Sequence, residues 1–246
     1  MEKQTAIIIP ARYDSTRLQG KPLIEVGGKP IIQWVFEKAV KSTLANRVII
    51  ATDNEQIYET ALMFGAEAEM TLESHNSGSD RIAEVAERHP EIEYIINLQG
   101  DEPSINPETI DKVIKLLQED ERADISTLVR EIDSEKEVIN PNLVKCVFDN
   151  NGYAMYFSRS KIPFDRNVGH SKYYGHIGLY GYRRDALFRM TGGNQTSLEL
   201  SESLEQLRAL QMGMRIKLCV VEDSPIGIDT IEDLNRFKSK VATNFS

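Results

Sequence analysis

The sequence predicts an α/β protein: a mostly parallel sheet flanked by helices, with an antiparallel insertion. Three observations lead there. Short apolar runs such as Ala6–Ile9, Arg47–Ala51 and Glu93–Leu98 have strand length and read as strands buried on both faces. Segments of helical spacing alternate with them, and a strand–helix–strand order implies parallel pairing through right-handed crossovers. Beyond Asn142 the pattern changes to β-like runs joined by Asp149-Asn150-Asn151-Gly152, a hairpin signal.

The first strand, Ala6-Ile7-Ile8-Ile9, ends at Pro10. The loop that follows carries Arg12, Arg17 and Lys21 against one acid, Asp14, while Ser15, Thr16 and Gly20 supply small, flexible backbone. A cationic loop leaving the carboxyl end of a first buried strand is where open α/β sheets bind phosphates. An ordinary surface loop with solvated charges is the competing reading. Neither GxxxxGK[ST] nor GxGxxG occurs there, so cations rather than glycines carry the signal. Pro30 to Ser42 has helical spacing, with Ile32, Val35, Phe36 and Ala39 on one face and Pro30 suited to the first turn. Trp34 falls on the other side near Lys38 and Lys41, as for a contact with another element or subunit. Asn54 to Phe64 reads as a helix stopped by Gly65, and Ala66 to Thr71 as a short strand.

Asn76 to Arg81 leads into a short amphipathic helix. There Ser79 or Asp80 caps the helix, or the Gly-containing loop grips a nucleotide at the helix N-terminus. The strand Glu93–Leu98 ends in Gln99-Gly100-Asp101-Glu102-Pro103. An acid just past a buried strand is where an α/β enzyme places a metal ligand; a plain turn also selects Gly, Asp and Pro. Pro107 to Glu119 reads as a helix, Ala123 to Val129 as a strand and Glu131 to Glu137 as a polar connection. Leu143 to Phe148 and Tyr153 to Phe157 form the hairpin, SRSKIPFDRN a cationic loop, and Tyr173 to Tyr182 a further strand. Residues 131–195 are therefore expected to form a β-rich substrate or dimerisation subdomain within a single domain, 1–246. Glu199 to Met212 reads as one helix with Leu200, Leu204, Leu207 and Gln211 along a stripe. Glu202, Glu205 and Gln206 lie off that stripe, by default on a solvated face. Met214 to Val221 is a strand, and Ile231 to Val241 the closing helix, with Asp229-Thr230 as capping candidates and acids favoured in its first turn.

Composition narrows the function. Twenty-nine basic against 38 acidic residues give a formal net charge of −9, which argues against general nucleic-acid binding. The positive balance of the first loop stands out against it. Cys146 and Cys219 are few and far apart, predicting a reducing compartment with no disulfide framework, and no CxxC or Cys/His cluster suggests zinc. No window approaches 18 uninterrupted apolar residues, and the N-terminus lacks the apolar span of a signal peptide, so neither membrane insertion nor export is expected.

Taken together, IIPARYDSTRLQGKPL near the start, ATD at 51–53, SGSDR at 77–81 and NLQGDEP at 97–103 resemble the sugar-acid cytidylyltransferases. YFSRSKIPFDR, HIGLYGYR, SLEQLR and GIDTIEDL narrow the resemblance to the 3-deoxy-manno-octulosonate (Kdo) cytidylyltransferases, in order from Ile7 to about Leu234. That resemblance implies a Rossmann-like sheet of the nucleotidyltransferase type. It also implies a Mg²⁺-dependent reaction of CTP with Kdo, giving CMP-Kdo and pyrophosphate for lipopolysaccharide biosynthesis, in a cytoplasmic homodimer. Arg12, Ser15 and Lys21 match the family's phosphate-binding positions. Ala11, Ser77, Gly78, Ser79, Asp80, Arg81 and Gln99 match the cytidine site, and Asp101 and Asp229 the two magnesium carboxylates. Arg12, Lys21, Asp101 and Asp229 form the implied catalytic group. Arg159, His176, Tyr180, Glu205 and Gln206 match the sugar-acid pocket, with Arg159 pairing the Kdo carboxylate and His176 a binding residue rather than a general base. On this reading Glu205 and Gln206 bond sugar hydroxyls, against the solvated-face default. Ser104 after QGDEP and the loose SPIGIDT segment depart from the family's pattern. They leave 8-amino-Kdo or an acylneuraminate as alternative acceptors, although SLEQLR and SRSKIP favour Kdo. A nucleotide-binding regulator without catalysis would lack Lys21 or an acid at 101 or 229, and all three are present.

Overall fold

A computed structural model describes residues 3–13, 18–167, 169–223 and 225–244. The chain divides into two units, Met1–Lys112 with Pro225–Ser246, and Val113–Ser224. In the first, strand β1 (Gln4–Ala11) leads through a 3-10 turn (Lys21–Leu23) to the two-residue strands β2 (Glu25–Val26) and β3 (Lys29–Pro30) and helix α1 (Ile31–Ala39). Then come β4 (Arg47–Thr52), α2 (Glu55–Met63), β5 (Glu67–Met70), α3 (Gly78–Arg88), β6 (Ile92–Asn97) and α4 (Pro107–Glu119), within which the division falls. The second unit continues with β7 (Ile125–Ile132), α5 (Glu135–Val138), β8 (Lys145–Phe148), β9 (Ala154–Ser158) and β10 (Tyr173–Arg183). It closes with α6 (Arg184–Thr191), α7 (Ser197–Glu202), α8 (Gln206–Gln211) and β11 (Ile216–Val220), and the chain returns to the first unit with α9 (Ile231–Asn244).

In the first unit the strands run β6-β1-β4-β5, all parallel. Ile7, Ile8 and Ile9 pair with Val48, Ile49 and Ile50 on one side, and Ile7 with Ile96 on the other. All three β1 isoleucines are fully enclosed, each contributing roughly 1.5–3 kcal/mol of burial. Helices α1, α2 and α3 pack on these strands. Asn54 caps α2 by accepting from the Ile57 N–H, and Gly65, at φ 82°, ends the turn beyond it. At α3 the cap is Ser77, in a reciprocal box with Asp80, rather than Ser79, which is buried. Trp34 makes the expected contact with other elements: its indole N–H donates to the Val26 carbonyl of β2 at 2.9 Å and its ring meets Phe237 of α9 edge-on.

In the second unit β7 pairs with β11 in parallel and with β10 antiparallel, while β8 and β9 form the expected hairpin and β8 joins β10. The hairpin turn depends on Gly152, at φ 75°, where an added Cβ would lie 2.8 Å from the Leu218 carbonyl oxygen. The α/β class, with a mostly parallel sheet flanked by helices, stands. Two elements differ from expectation. The polar connection after residue 131 includes the end of β7 and the short helix α5. The single helix over 199–212 is broken into α7 and α8 at Ser203, whose φ of 52° is left-handed. Side-chain demands account for the break. Arg208 binds the buried Glu199 at 2.8 Å, Glu202 is held by Ser158 and Arg159, and Leu200 on the supposed apolar stripe is 61% exposed. None of the described helices is long and apolar enough to cross a membrane.

Candidate active site

The carboxyl ends of β1 and β6 lie side by side because Ile8 pairs with Asn97. The loops leaving them touch: a Cβ on Gly100 would sit 2.9 Å from the Pro10 carbonyl oxygen and 3.3 Å from Ile32. Only glycine lets the two loops approach this closely. The approach sets Asp101 against the 3-10 turn that opens with Lys21. The Lys21 ammonium lies 2.6 Å from Asp101 Oδ2, 2.8 Å from the Ile228 carbonyl oxygen and 3.3 Å from Asp229 Oδ1. Asp229 is brought there by the Ile228 N–H, which donates to the Asp101 carbonyl at 2.9 Å. The capping role falls instead to Thr230, whose hydroxyl and Asp233 close a reciprocal pair at the start of α9. Burial disfavours the Lys21 charge, but the charges and hydrogen bonds of Asp101 and Asp229 outweigh it, so its pKa is raised. Two carboxylates and a carbonyl thus converge on one cation. Such a hard-oxygen set suits a divalent ion of the magnesium type.

Arg12 lies just past β1 beside a cavity of about 320 Å³ lined also by Tyr13, Asp53, Asn54 and Glu73. Its Nη2 is buried and has no hydrogen-bond partner among the described residues. A guanidinium N–H left in that state favours an incoming anionic oxygen. Ser15 lies outside the described residues, as do Asp14 and Arg17. Ala11 is buried at the end of β1. Gly78 sits against Pro10 and Gln99, its would-be Cβ 3.3 Å and 3.6 Å from them, and Gln99 Nε2 donates to Asn97 Oδ1 at 3.0 Å. Ser77 and Asp80 are engaged in the helix cap. Arg81 is fully buried and donates to Asp53 and Thr71, so its side chain anchors this loop to the ends of β4 and β5. Burial lowers its pKa, with Asp53 opposing. Asp53 and the Ile228 carbonyl are site features not singled out from the sequence. The ATD segment contained the first, but a backbone carbonyl carries no sequence signal.

In the second unit the period-2 pleat of β10 buries Gly175, Ile177 and Leu179 and leaves His176, Gly178 and Tyr180 on a half-buried face. His176 Nε2 is 2.9 Å from Thr127 Oγ1, and its ring lies 5.1 Å from Phe157 and 5.2 Å from Tyr180. Desolvation pushes the imidazole down to about 3, which makes it neutral and a poor base at neutral pH. Desolvation chiefly, with Tyr182 and Glu205 adding, raises the Tyr180 hydroxyl. Thr127 Oγ1 is also 2.9 Å from the Leu179 carbonyl. A hydroxyl donating to that carbonyl accepts the His176 Nε2–H, leaving Nδ1 as an acceptor for a ligand hydroxyl.

Arg159 follows β9, and its guanidinium donates to the carbonyls of Glu202, Pro141 and Ser203. Gln206, at the start of α8, is buried, and its Nε2 has no hydrogen-bond partner among the described residues. Glu205 Oε1 lies 3.6 Å from Arg208. The default of a solvated face for these residues is overturned. Tyr180, on the half-buried face of β10, senses the Glu205 charge. Lys145 and Glu202, which hold Arg159, are further residues not picked out from the sequence.

Cations and carboxylates gathered at the ends of parallel strands suit nucleotidyl transfer, and comparison with known proteins points to the same class. Residues 6–216 match the family model described as Cytidylyltransferase. A 3-deoxy-manno-octulosonate cytidylyltransferase of Fusobacterium nucleatum is 46% identical over 237 residues, 96% of each chain. One from Thermodesulfovibrio yellowstonii is 49% identical over 243 residues, covering 94% of this chain and 95% of that one. The solved structure of a CMP:2-keto-3-deoxy-manno-octonic acid synthetase complexed with CTP superposes with a TM-score of 0.95 at 38% identity, over 98% of this chain and all of the other. The chain belongs to the cytidylyltransferase family, and within it to the 3-deoxy-manno-octulosonate cytidylyltransferases.

Proposed function

We propose that this protein transfers CMP from CTP to the anomeric hydroxyl of Kdo, releasing pyrophosphate and supplying CMP-Kdo for lipopolysaccharide biosynthesis. The observation that carries the reading is the full-length likeness to the synthetase solved with CTP. The cation site at Lys21, Asp101 and Asp229 gives that likeness chemical content. Arg12 and Lys21 would hold the triphosphate and neutralise charge that grows on the departing pyrophosphate, stabilising the transition state more than the ground state. Asp101 and Asp229 are the residues that would hold Mg²⁺. When bound there, the ion supplies Lewis acidity toward the anomeric hydroxyl and the α-phosphate. Gln99, Ala11 and the Ser77–Arg81 loop are assigned to the cytidine. Arg159 would receive the sugar-acid carboxylate, and neutral His176, Tyr180, Glu205 and Gln206 would fix its hydroxyls. Ordering both substrates contributes much of the remaining acceleration.

We assign the enzyme to the cytoplasm, where CTP is available, and propose a homodimer. Pyrophosphate release from CTP, measured with Kdo, 8-amino-Kdo and N-acetylneuraminate and with or without Mg²⁺, tests the whole. Release is expected to be fastest with Kdo and to require the metal. No release with any acceptor overturns the assignment, and faster release with another acceptor moves it to that sugar acid.

A further inference from the structure

The Arg159 side chain is oriented without any carboxylate of its own. Nε donates to the Glu202 carbonyl at 2.7 Å, Nη1 to the Pro141 carbonyl at 3.1 Å and Nη2 to the Ser203 carbonyl at 3.3 Å. All three acceptors are neutral, and among the described residues no acid forms an ion pair with this guanidinium. The Glu202 carboxylate is turned elsewhere: it accepts from the Arg159 backbone N–H at 2.9 Å and from Ser158 Oγ at 2.6 Å. Lys145 completes the group. Its side chain is fully buried, and its ammonium donates to the carbonyls of Asn140, Leu143 and Arg159 at 2.8, 2.8 and 2.6 Å.

A fully buried ammonium met only by neutral carbonyls is an unfavourable arrangement in a protein interior. An apolar residue would fill the space without that penalty. Burial lowers the Lys145 pKa, with Glu202 opposing and Arg159 adding. Ser203 presents its carbonyl from a left-handed conformation, at φ 52°, that serine adopts at a cost. Two features that are each unfavourable alone therefore share one effect, which is to fix the backbone and side chain of Arg159. Two positive charges and one negative leave the group with one positive charge, the complement of a single carboxylate.

We propose that Lys145, Glu202 and Ser158 are positioning residues that aim Arg159 at the carboxylate of the sugar acid, and that the group's surplus positive charge is reserved for it. This rests on the reading of Arg159 as the carboxylate receptor.

The test compares Kdo with its neutral methyl ester in the wild-type enzyme and in Arg159→Ala, Lys145→Met and Ser158→Ala. In the wild type the acid should be favoured over the ester by roughly 10–100-fold in KM, the range of a hydrogen-bonded charge pair. Lys145→Met should reduce that preference to within about threefold while leaving the KM for CTP unmoved, a coupling that a merely structural lysine would not show. If Lys145→Met weakens acid and ester by the same factor, Lys145 only pins its own segment and the proposal is wrong. Ser158→Ala keeps every charge, so it serves if the lysine variant does not fold. It should lower the preference several-fold, and an unchanged preference overturns the role of Glu202. Arg159→Ala tests the underlying reading separately: a variant that keeps the full preference removes Arg159 as receptor, whatever Lys145 does.

Discussion

Lys21 and His176 show two opposite effects of burial on a titratable side chain. Lys21 is shielded from water yet keeps its charge, because Asp101 and Asp229 flank it. His176 has no such partner, and desolvation leaves it neutral. The lysine contact makes the two aspartates the first residues to test. Asp101→Asn and Asp229→Asn should each lower kcat by at least about 10²-fold, the scale of losing one stabiliser of transition-state charge. Normal steady-state kinetics in either variant would remove it from the cation site. For His176 the relevant readout is stability against pH. Its pKa of about 3 in the fold lies below the usual value of 6.5, so the unfolded chain takes up the proton first. Its contribution is present above about pH 6.5 and is lost progressively as pH falls toward 3. Urea unfolding of His176→Leu should therefore lose less stability between pH 7 and pH 4 than the wild type does. Equal losses would mean that the imidazole is not held neutral.

The elements most legible in the sequence were those whose pattern is local. The buried strands β1, β4 and β6 appear as apolar runs, α4 runs from Pro107 to Glu119 as its spacing predicts, and the Asn-Asn-Gly turn marks the β8–β9 hairpin. Asp101 and Asp229 were legible as acids just beyond their strand and before their helix, and as matches to a family motif. What brings them together is a backbone contact, from Ile228 to Asp101, that no spacing encodes. The break between α7 and α8 was hidden for a related reason. Local propensity over Glu199 to Met212 favours one helix, and the terms that divide it are tertiary: the buried Glu199–Arg208 pair and the hold of Ser158 and Arg159 on Glu202. Lys145 gave no signal because an isolated lysine in a strand is ordinarily solvated. The break carries its own prediction. Replacing Ser203 by glycine relieves about 1–2 kcal/mol of left-handed strain, partly offset by the greater entropy glycine loses on folding. Ser203→Gly should raise stability by roughly 0.5–1 kcal/mol in thermal unfolding. A destabilised variant would show that the serine side chain itself holds the turn.

At the scale of the whole molecule, the residues proposed for the nucleotide and the cation belong to the first unit and those proposed for the sugar acid to the second. The proposed reaction calls on both. Ligand linkage gives a measure of the first unit alone. With CTP and Mg²⁺ at about a hundred times their dissociation constants, the melting temperature should rise by roughly 5–10 °C. Chelating the metal should abolish most of that rise, and Asp229→Asn should show little of it in either condition. A rise that survives chelation would place CTP binding outside the influence of the metal.

The first unit is discontinuous in the chain, and that has a consequence during synthesis. Its strands emerge from the ribosome early, but the wall supplied by Ile228 and Asp229 is translated only after the whole second unit. A nascent or truncated chain ending before residue 228 can carry Arg12, Lys21, Asp101 and all the sugar-acid residues, yet it lacks one side of the cation site. On the proposed assignment, the cation site is therefore completed only once Ile228 and Asp229 follow the second unit out of the ribosome.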